Sequence, residues 1–292
     1  MKKLIIAFLF LSFSTQGFAQ FFKDSKTVTK HEGYVTFYYD ESTDKIFLQI
    51  ENLHQEFLYV NSLSEGIGSN DIGLDRGQLG NTRIVKFMKA GNKLLLIQPN
   101  QDYRAITDNL EEKKSVEQAF AKSVIHGFVI KETNQGKYLV DATSFFMRDA
   151  HGVQGRLSAR KQGSYSLDKS RSAISLERTK AFPKNVEFDV MLTFKGSPKS
   201  FNIRSVTPTA SLITVNQHHS FIELPDGSYK PRKFDPRSGS NAMSYLDYAT
   251  PVNESITKRF IYRHRLEKKN PEASKSEAVE PIIYYLDRGT PE

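Results

Sequence analysis

The sequence predicts a mainly β protein with α insertions, an antiparallel β-sandwich-like or multi-sheet domain carrying one or two helices. Three observations predict this fold. Apolar and polar residues alternate with a period of two over most of the chain, as they do on strands with one buried face. Polar turn residues separate these runs, as in successive hairpins. Aromatic residues make up 12% of the chain, and the Phe and Tyr on the predicted strands suit a sheet core.

The predicted strands fall into hairpins and single segments. Three hairpins are predicted around polar or glycine-containing turns: residues 34–40 with 45–51, 82–88 with 93–98, and 127–131 with 137–141. Further strands are predicted at residues 56–60, 186–194, 201–206, 212–216, 256–266 and 282–286.

One helix is predicted clearly and a second one weakly. Asp108 can cap the first helix, with Glu111 as its capping-box partner. The apolar face of this helix has helical spacing and comprises Val116, Ala119, Phe120 and Val124. A shorter helix is predicted within residues 145–157.

The N-terminus has the three zones of a secretory signal peptide. Lys2 and Lys3 supply positive charge, residues 4–13 form an apolar run, and small residues lead to Ala19. The apolar run is shorter than the roughly 20 residues that a membrane-spanning helix needs. We therefore expect export to remove residues 1–19. The mature protein should have no transmembrane segment and should be periplasmic, associated with the outer membrane, or extracellular.

The amino-acid composition and the net charge exclude several kinds of site and partner. The chain has no cysteine, which excludes disulfides, thiolate zinc sites and a lipid-modified cysteine anchor. The formal net charge is +8, but basic residues are interspersed with acidic ones. The densest basic run, residues 258–269, is better interpreted as a solvated strand face or a contact to another domain, so we expect no nucleic-acid partner.

Two segments carry candidate ligands, and the first is a glycine-bent loop. Within residues 66–80, the side chains of Asn70, Asp71 and Asp75 supply oxygen atoms of the kind that hold calcium. The alternative, which we favour, is a structural loop in which Asp75 and Arg76 bond backbone groups.

The second candidate is the pair His218 and His219, which the sequence places on a strand with their side chains on opposite faces. His219 and Glu223 share a face but lie about 13 Å apart, too far to bind one zinc ion without another ligand. We therefore expect a packing or hydrogen-bonding role for both histidines. Residues 31–35 (HEGYV) begin like the zinc motif H-E-x-x-H but lack its second histidine. Neither the nucleotide-binding glycine motifs nor the nucleophile elbow of hydrolases occurs.

Changes in composition along the chain also indicate domain boundaries. We expect a β-rich accessory domain at residues 20–224. The prolines and glycines that follow predict an extended connector at residues 225–280, with a strand near 256–266.

Several motifs follow one another along the mature chain. They are residues 57–63 (FLYVNSL), 68–80 (GSNDIGLDRGQLG), 139–143 (LVDAT), 148–153 (RDAHGV), 178–183 (RTKAFP), 217–221 (QHHSF), 234–237 (FDPR), 247–251 (DYATP), 263–269 (RHRLEKK) and 280–287 (EPIIYYLD). With these motifs the chain resembles the N-terminal domain, of unassigned function, of bacterial exported zinc-dependent metalloproteases, where it precedes a metzincin-type catalytic domain. Residues 240–241 (SN) depart from the aromatic pair expected there.

The resemblance implies where catalysis would reside. The zinc motif of the family would lie well beyond Asp287, so no catalytic residue is expected in this chain, and residues 281–292 would begin a truncated catalytic domain. Zinc and a peptide or protein substrate would belong to that catalytic domain, which would be the partner of this one. We therefore expect a non-catalytic region of a secreted metalloprotease, as a truncated gene product or a fragment. The alternative is a stand-alone exported β-domain that binds a protein or glycan.

Overall fold

The computed structural model describes residues 18, 21–22, 26–286 and 289–291. The chain divides into two compact units. Unit 1 comprises Met1–Pro99 and Ser123–Leu224, and unit 2 comprises Asn100–Lys122 and Pro225–Glu292. The predicted mainly β fold is confirmed.

The described residues contain fifteen strands and four helices. The strands are β1 (Val28–His31), β2 (Thr36–Asp40), β3 (Lys45–Ile50), β4 (Glu56–Glu65), β5 (Leu79–Ala90), β6 (Lys93–Gln98), β7 (Tyr103–Arg104), β8 (Ser123–Asn134), β9 (Lys137–Asp141), β10 (Gly163–Leu167), β11 (Ala173–Ala181), β12 (Asn185–Pro198), β13 (Leu212–Glu223), β14 (Ala242–Asp247) and β15 (Thr257–Ile261). The helices are α1 (Leu110–Ala119), α2 (Thr143–Phe146), α3 (Val153–Ala159) and α4 (Phe201–Val206).

Unit 1 is built on one 12-stranded antiparallel sheet. Its strand order is β1-β2-β3-β9-β8-β6-β5-β4-β13-β12-β10, and β11 pairs with β12 outside this path. The three predicted hairpins are confirmed as β2–β3, β5–β6 and β8–β9. They form where apolar and polar residues alternate with a period of two on both sides of a short turn. The observed strand pairing therefore agrees with the sequence pattern.

The sheet curls until strands near its two ends meet. Phe37 of β2 packs edge-on against Phe188 of β12, with 5.1 Å between ring centres, although these strands are second and tenth in the sheet order. The Tyr34 N–H donates to the carbonyl of Phe182 at 2.7 Å. A Cβ on Gly33 would lie only 2.7 Å from the same carbonyl oxygen, so this approach requires glycine.

Helix α2 fills the inner face of the curled sheet. Phe145 and Phe146 are fully buried, and the ring of Phe146 stacks on that of Phe188 with 4.0 Å between centres. Phe145 lies 5.5 Å from Tyr59 of β4 and 5.3 Å from His126 of β8, so α2 packs on several strands of the sheet through aromatic contacts. Such rings each bury a large apolar area and dominate the energetics of a core.

A smaller apolar cluster covers the other face of β2 and β3. Of the predicted signal peptide, residues 1–19, only Phe18 lies within the described residues. Phe18 is buried with Tyr38 and Phe47, and the ring of Phe22 lies beside both. Among the described residues, no helix has the length and apolar character needed to cross a membrane.

Two segments of unit 1 differ from their predicted structure. Residues 201–206 were predicted as a strand but form α4, because the Ser200 hydroxyl accepts the Asn202 N–H and only Ile203 is buried, on one side. Residues 145–157 were predicted as one helix but form parts of α2 and α3. Asp149 separates the two, since its carboxylate accepts N–H groups at the start of α3.

Unit 2 contains a three-stranded sheet of β15, β14 and β7, beside which α1 lies. The cap of α1 is Asn109 rather than Asp108, because the Asn109 side chain accepts the Glu111 N–H at 3.0 Å. The ring of Phe120 stacks on Tyr103 with 3.9 Å between centres. The predicted helical face ends before Val124, which lies in β8.

The C-terminal strand predictions are corrected in unit 2. The strand predicted at residues 256–266 is confirmed only for β15, and β14 was not predicted. The strand predicted at residues 282–286 is wrong, because this segment has no strand partner in the described chain. Its side chains are exposed, from 44% for Ile282 to 90% for Tyr285.

The aromatic core gives a stability prediction with a matched control. We expect Phe188→Ala to lower the free energy of unfolding by about 3–5 kcal/mol, because Phe188 is fully buried among Phe37, Phe146 and Phe221. Phe201→Ala should change it by no more than about 0.5 kcal/mol, since the Phe201 side chain is 79% exposed. Urea unfolding followed by circular dichroism checks both, and equal effects of the two substitutions would contradict this packing.

Candidate functional site

The glycine-bent loop between β4 and β5 is anchored by apolar side chains. Ile72 and Leu74 are fully buried, and the Ile67 N–H donates to the Leu74 carbonyl at 2.9 Å. The three candidate calcium ligands have different environments: Asn70 and Asp71 are exposed, and Asp75 is half-buried. The described residues contain no group of three or more His, Cys, Asp or Glu side chains that could hold a metal ion.

His218 and His219 lie on β13, between β12 and β4. His218 faces the same side of the sheet as its cross-strand neighbour Asp189, and His219 faces the aromatic core opposite Asn61 of β4. Because successive side chains alternate across a strand, the two imidazoles occupy different environments. The predicted placement on opposite faces is confirmed.

The His218 imidazole is held between two carboxylates. Its Nδ1–H donates to Asp189 at 3.0 Å, and its Nε2–H donates to Glu187 at 2.8 Å. The Asp189 side chain is fully buried, whereas those of His218 and Glu187 are 21% and 16% exposed. We call these three residues the His218 clamp.

Further polar side chains complete the hydrogen bonding of the two carboxylates in the His218 clamp. Ser220 donates to Glu187 at 2.5 Å and Asn185 donates to it at 2.6 Å. Asn216 donates to Asp189 at 3.0 Å, and the Ser64 hydroxyl also donates to Asp189. A buried carboxylate with several donors stays ionised.

These contacts fix the charges of the His218 clamp. Burial alone would lower the pKa of His218, but the hydrogen bonds and negative charges of Asp189 and Glu187 raise it to about 9. Burial would raise the pKa of each carboxyl, yet the bonds from His218 and the neighbouring hydroxyl and amide groups leave both pKa values lowered. At neutral pH the imidazole is therefore a cation between two anions.

His219 has the opposite charge state. It is fully buried, and burial, followed by the positive charge of Arg148, lowers its pKa to about 3. Its Nε2 lies 2.9 Å from the Gln217 side-chain nitrogen and 3.2 Å from the Phe146 carbonyl, and its Nδ1 lies 2.9 Å from the Tyr59 hydroxyl. Both ring nitrogens are occupied inside the core.

The donor sets of the two histidines do not fit zinc. A zinc ligand needs a free imidazole lone pair. In His218 both ring nitrogens carry protons that are bonded to Glu187 and Asp189, and in His219 both ring nitrogens are hydrogen-bonded inside the core. The same contacts leave neither ring able to act as a general base. The structure therefore gives His218 and His219 hydrogen-bonding roles.

Neither carboxylate of the His218 clamp was predicted from the sequence as a functional residue. Glu187 and Asp189 alternate with the buried Val186, Phe188 and Val190, which was a local signal that they share one strand face. Which histidine they meet depends on the β12–β13 register, which local periodicity does not reveal. The half-buried histidines and arginines near Tyr59 were also missed.

The His218 clamp should make stability depend on pH. We expect His218→Gln to lower the free energy of unfolding by about 2–4 kcal/mol near pH 6, because one fully buried and one largely buried carboxylate lose the cation between them. The folded-state pKa of about 9 lies above the ordinary value of 6.5, so the contribution is complete below about pH 6.5 and is lost as pH rises through about 9.

Urea unfolding of the wild type and the variant across this pH range measures the difference. His264→Gln, which removes an exposed imidazole, is the control and should have little effect. A wild-type advantage over His218→Gln that stays constant to about pH 10 would contradict the assigned charges.

The sequence of the chain matches two known domain families. Residues 77–269 match the family DUF5117, and residues 15–66 match DUF5118, each described as a domain of unknown function. Comparison with curated proteins and with solved structures found no match. Because the first match covers about two thirds of the sequence, the chain belongs to the DUF5117 family, a family of domains of unknown function.

Proposed function

We propose that the chain is a non-catalytic accessory region of an exported zinc-dependent metalloprotease, and that it acts by binding the protease domain. The observation that carries this proposal is the exposed apolar segment at residues 281–286 (PIIYYL), which we call the docking segment. Tyr284, Tyr285 and Leu286 have exposed fractions of 80%, 90% and 81%.

The backbone of the docking segment is also without partners. Among the described residues, no hydrogen bond joins residues 281–286 to the rest of the chain. The segment follows a short hairpin in which the Val279 N–H donates to the Glu267 carbonyl at 2.9 Å. An extended, β-prone segment with free N–H and C=O groups can add a strand to the sheet of a partner.

The state of the histidines supports a binding role over chemistry in this chain. The ring nitrogens of His218 are bonded to Glu187 and Asp189, and those of His219 are hydrogen-bonded inside the core. The resemblance to the N-terminal domain of exported metalloproteases supports the identity of the partner. In that proposal, zinc and the peptide or protein substrate belong to the protease domain.

The test uses a separately produced metzincin-type catalytic domain from this class of proteases. We expect the chain to bind it, and the double substitution Ile283→Asp and Tyr285→Asp to weaken binding at least about tenfold, because charges replace apolar contacts. Val252→Asp changes an equally exposed apolar residue outside the docking segment and should leave binding unchanged. Calorimetry gives the affinities, and equal affinity of the double variant and wild type would contradict the proposal.

One pocket favours the second candidate function, a β-domain that binds a glycan. A cavity of about 160 Å³ in unit 1 is lined by Gln49, Glu51, Asn52 and Gln55 beside Phe57. Amide and carboxylate groups around an apolar wall are suited to sugar hydroxyls. Saturable glycan binding that is lost in Asn52→Ala, together with no binding to the catalytic domain, would favour this candidate over the accessory role.

A further inference from the structure

Two arginines of unit 1 converge on the ring of Tyr59. Arg83 of β5 lies opposite Tyr59 in the β4–β5 pairing, with its guanidinium carbon 5.8 Å from the ring centre. Arg148, between α2 and α3, donates to the Tyr59 hydroxyl at 3.4 Å. Both arginines are half-buried. Burial lowers the pKa of Arg83, and the like charge of Arg148 lowers it further.

The hydrogen bonds of both guanidinium groups go to neutral oxygens. Arg83 donates to the Asn61 side chain at 3.4 Å, and Arg148 donates to the carbonyls of Phe145 at 3.2 Å and Ile125 at 3.5 Å. Within the described part of the chain, no carboxylate lies within ion-pair distance of either group. These bonds are longer than the roughly 2.7–2.9 Å typical of guanidinium–oxyanion pairs.

Two histidines lie beside the arginines. His126 packs against Phe145, and neither of its ring nitrogens has a hydrogen-bond partner among the residues described. Burial, followed by the charge of Arg148, lowers its pKa. His151 is half-buried and both of its ring nitrogens have partners, since Nε2 lies 3.3 Å from the Gln78 side-chain oxygen and Nδ1 lies 3.4 Å from the Asn61 side-chain nitrogen. Burial again lowers its pKa.

Asp149, which follows Arg148 in the chain, is committed elsewhere. The charge of Asp149 acts to raise the pKa of His151, against burial. Its carboxylate accepts the backbone N–H groups of Gly152, Val153 and Gln154 at 2.8–3.0 Å, which fixes it at the start of α3. The two guanidinium charges therefore remain without an anionic partner, which is costly for partly buried groups.

Packing on aromatic rings accounts for only part of this arrangement. Arg148 lies over Phe145 at 4.5 Å, a good cation–π distance, but Arg83 lies near the outer limit of about 6 Å from Tyr59. A purely structural role leaves unexplained why a second guanidinium lies beside the first with no carboxylate between them.

We propose that Arg83, Arg148 and His126 form a binding site for an oxyanion group: a phosphate, a sulfate or a carboxylate. Guanidinium groups bind such groups through two parallel N–H bonds, and the His126 imidazole can add an N–H donor. Asn61 and Gln78 lie at the edge of the site and hold Arg83 and His151 in place. This inference is independent of the proposed protease partner.

Titration calorimetry with inorganic phosphate, sodium sulfate and sodium acetate tests the site, with sodium chloride at matched ionic strength as reference. We expect at least one of the three oxyanions to bind saturably, and the responding salt identifies the preferred group. Because phosphate and sulfate also stabilise proteins non-specifically, a thermal shift alone is insufficient. No saturable binding of any of the three would overturn the proposal.

Charge-matched variants locate the bound anion. Arg83→Gln should weaken binding at least about tenfold, whereas Arg160→Gln, which removes the same charge from an exposed side chain, should leave it unchanged. Equal affinity of Arg83→Gln and wild type would overturn the proposed site. If Arg83→Gln does not fold, labelled wild-type protein provides the test: the oxyanion must shift the guanidinium Nε–H signals of Arg83 and Arg148, and unchanged signals would overturn the proposal.

Discussion

Strand β13 lies between β12 and β4, and its side chains alternate between two faces of the curled sheet. This alternation places Phe221 and His219 in the aromatic core, and His218 on the other face among carboxylates. Two residues that are adjacent in sequence therefore meet environments of opposite polarity. Burial without a counterion keeps one imidazole neutral, and two carboxylates keep the other charged.

The curl of the sheet links this centre to the rest of unit 1. Because β2 meets β12 through Phe37 and Phe188, the inner face is a closed aromatic layer that α2 completes. The chain leaving α2 then carries Arg148 to the edge of that layer, beside Tyr59. Core packing thus positions the cationic side chains that we propose as an oxyanion site.

The sequence pattern correctly predicted those features of the fold that depend on local interactions. The hairpins follow from alternation and turn residues, and the opposite faces of His218 and His219 follow from strand periodicity. The hydrogen-bond partners of the histidines could not be predicted from the sequence, because Glu187 contacts His218 only through the β12–β13 register. The capping of α4 by Ser200 overrode a period-two pattern at residues 201–206.

The residues around Tyr59 illustrate the same limit. Arg83 and Arg148 are separated by many residues in the chain and come together through the β4–β5 pairing and the position of α2. No spacing in the sequence marks them as neighbours. For the docking segment, local composition predicted a strand that the structure does not contain. A strand requires a pairing partner, and the described chain supplies none.

The two neighbouring histidines hold the sheet together in opposite charge states rather than serving as a metal or catalytic pair. Nitrogen NMR of the histidine rings across pH tests it most directly. We expect His218 to keep protons on both ring nitrogens until about pH 9, and His219 to stay neutral down to acid unfolding. Titration of His218 near its ordinary pKa of 6.5, or a shift of either ring on adding zinc, would contradict it.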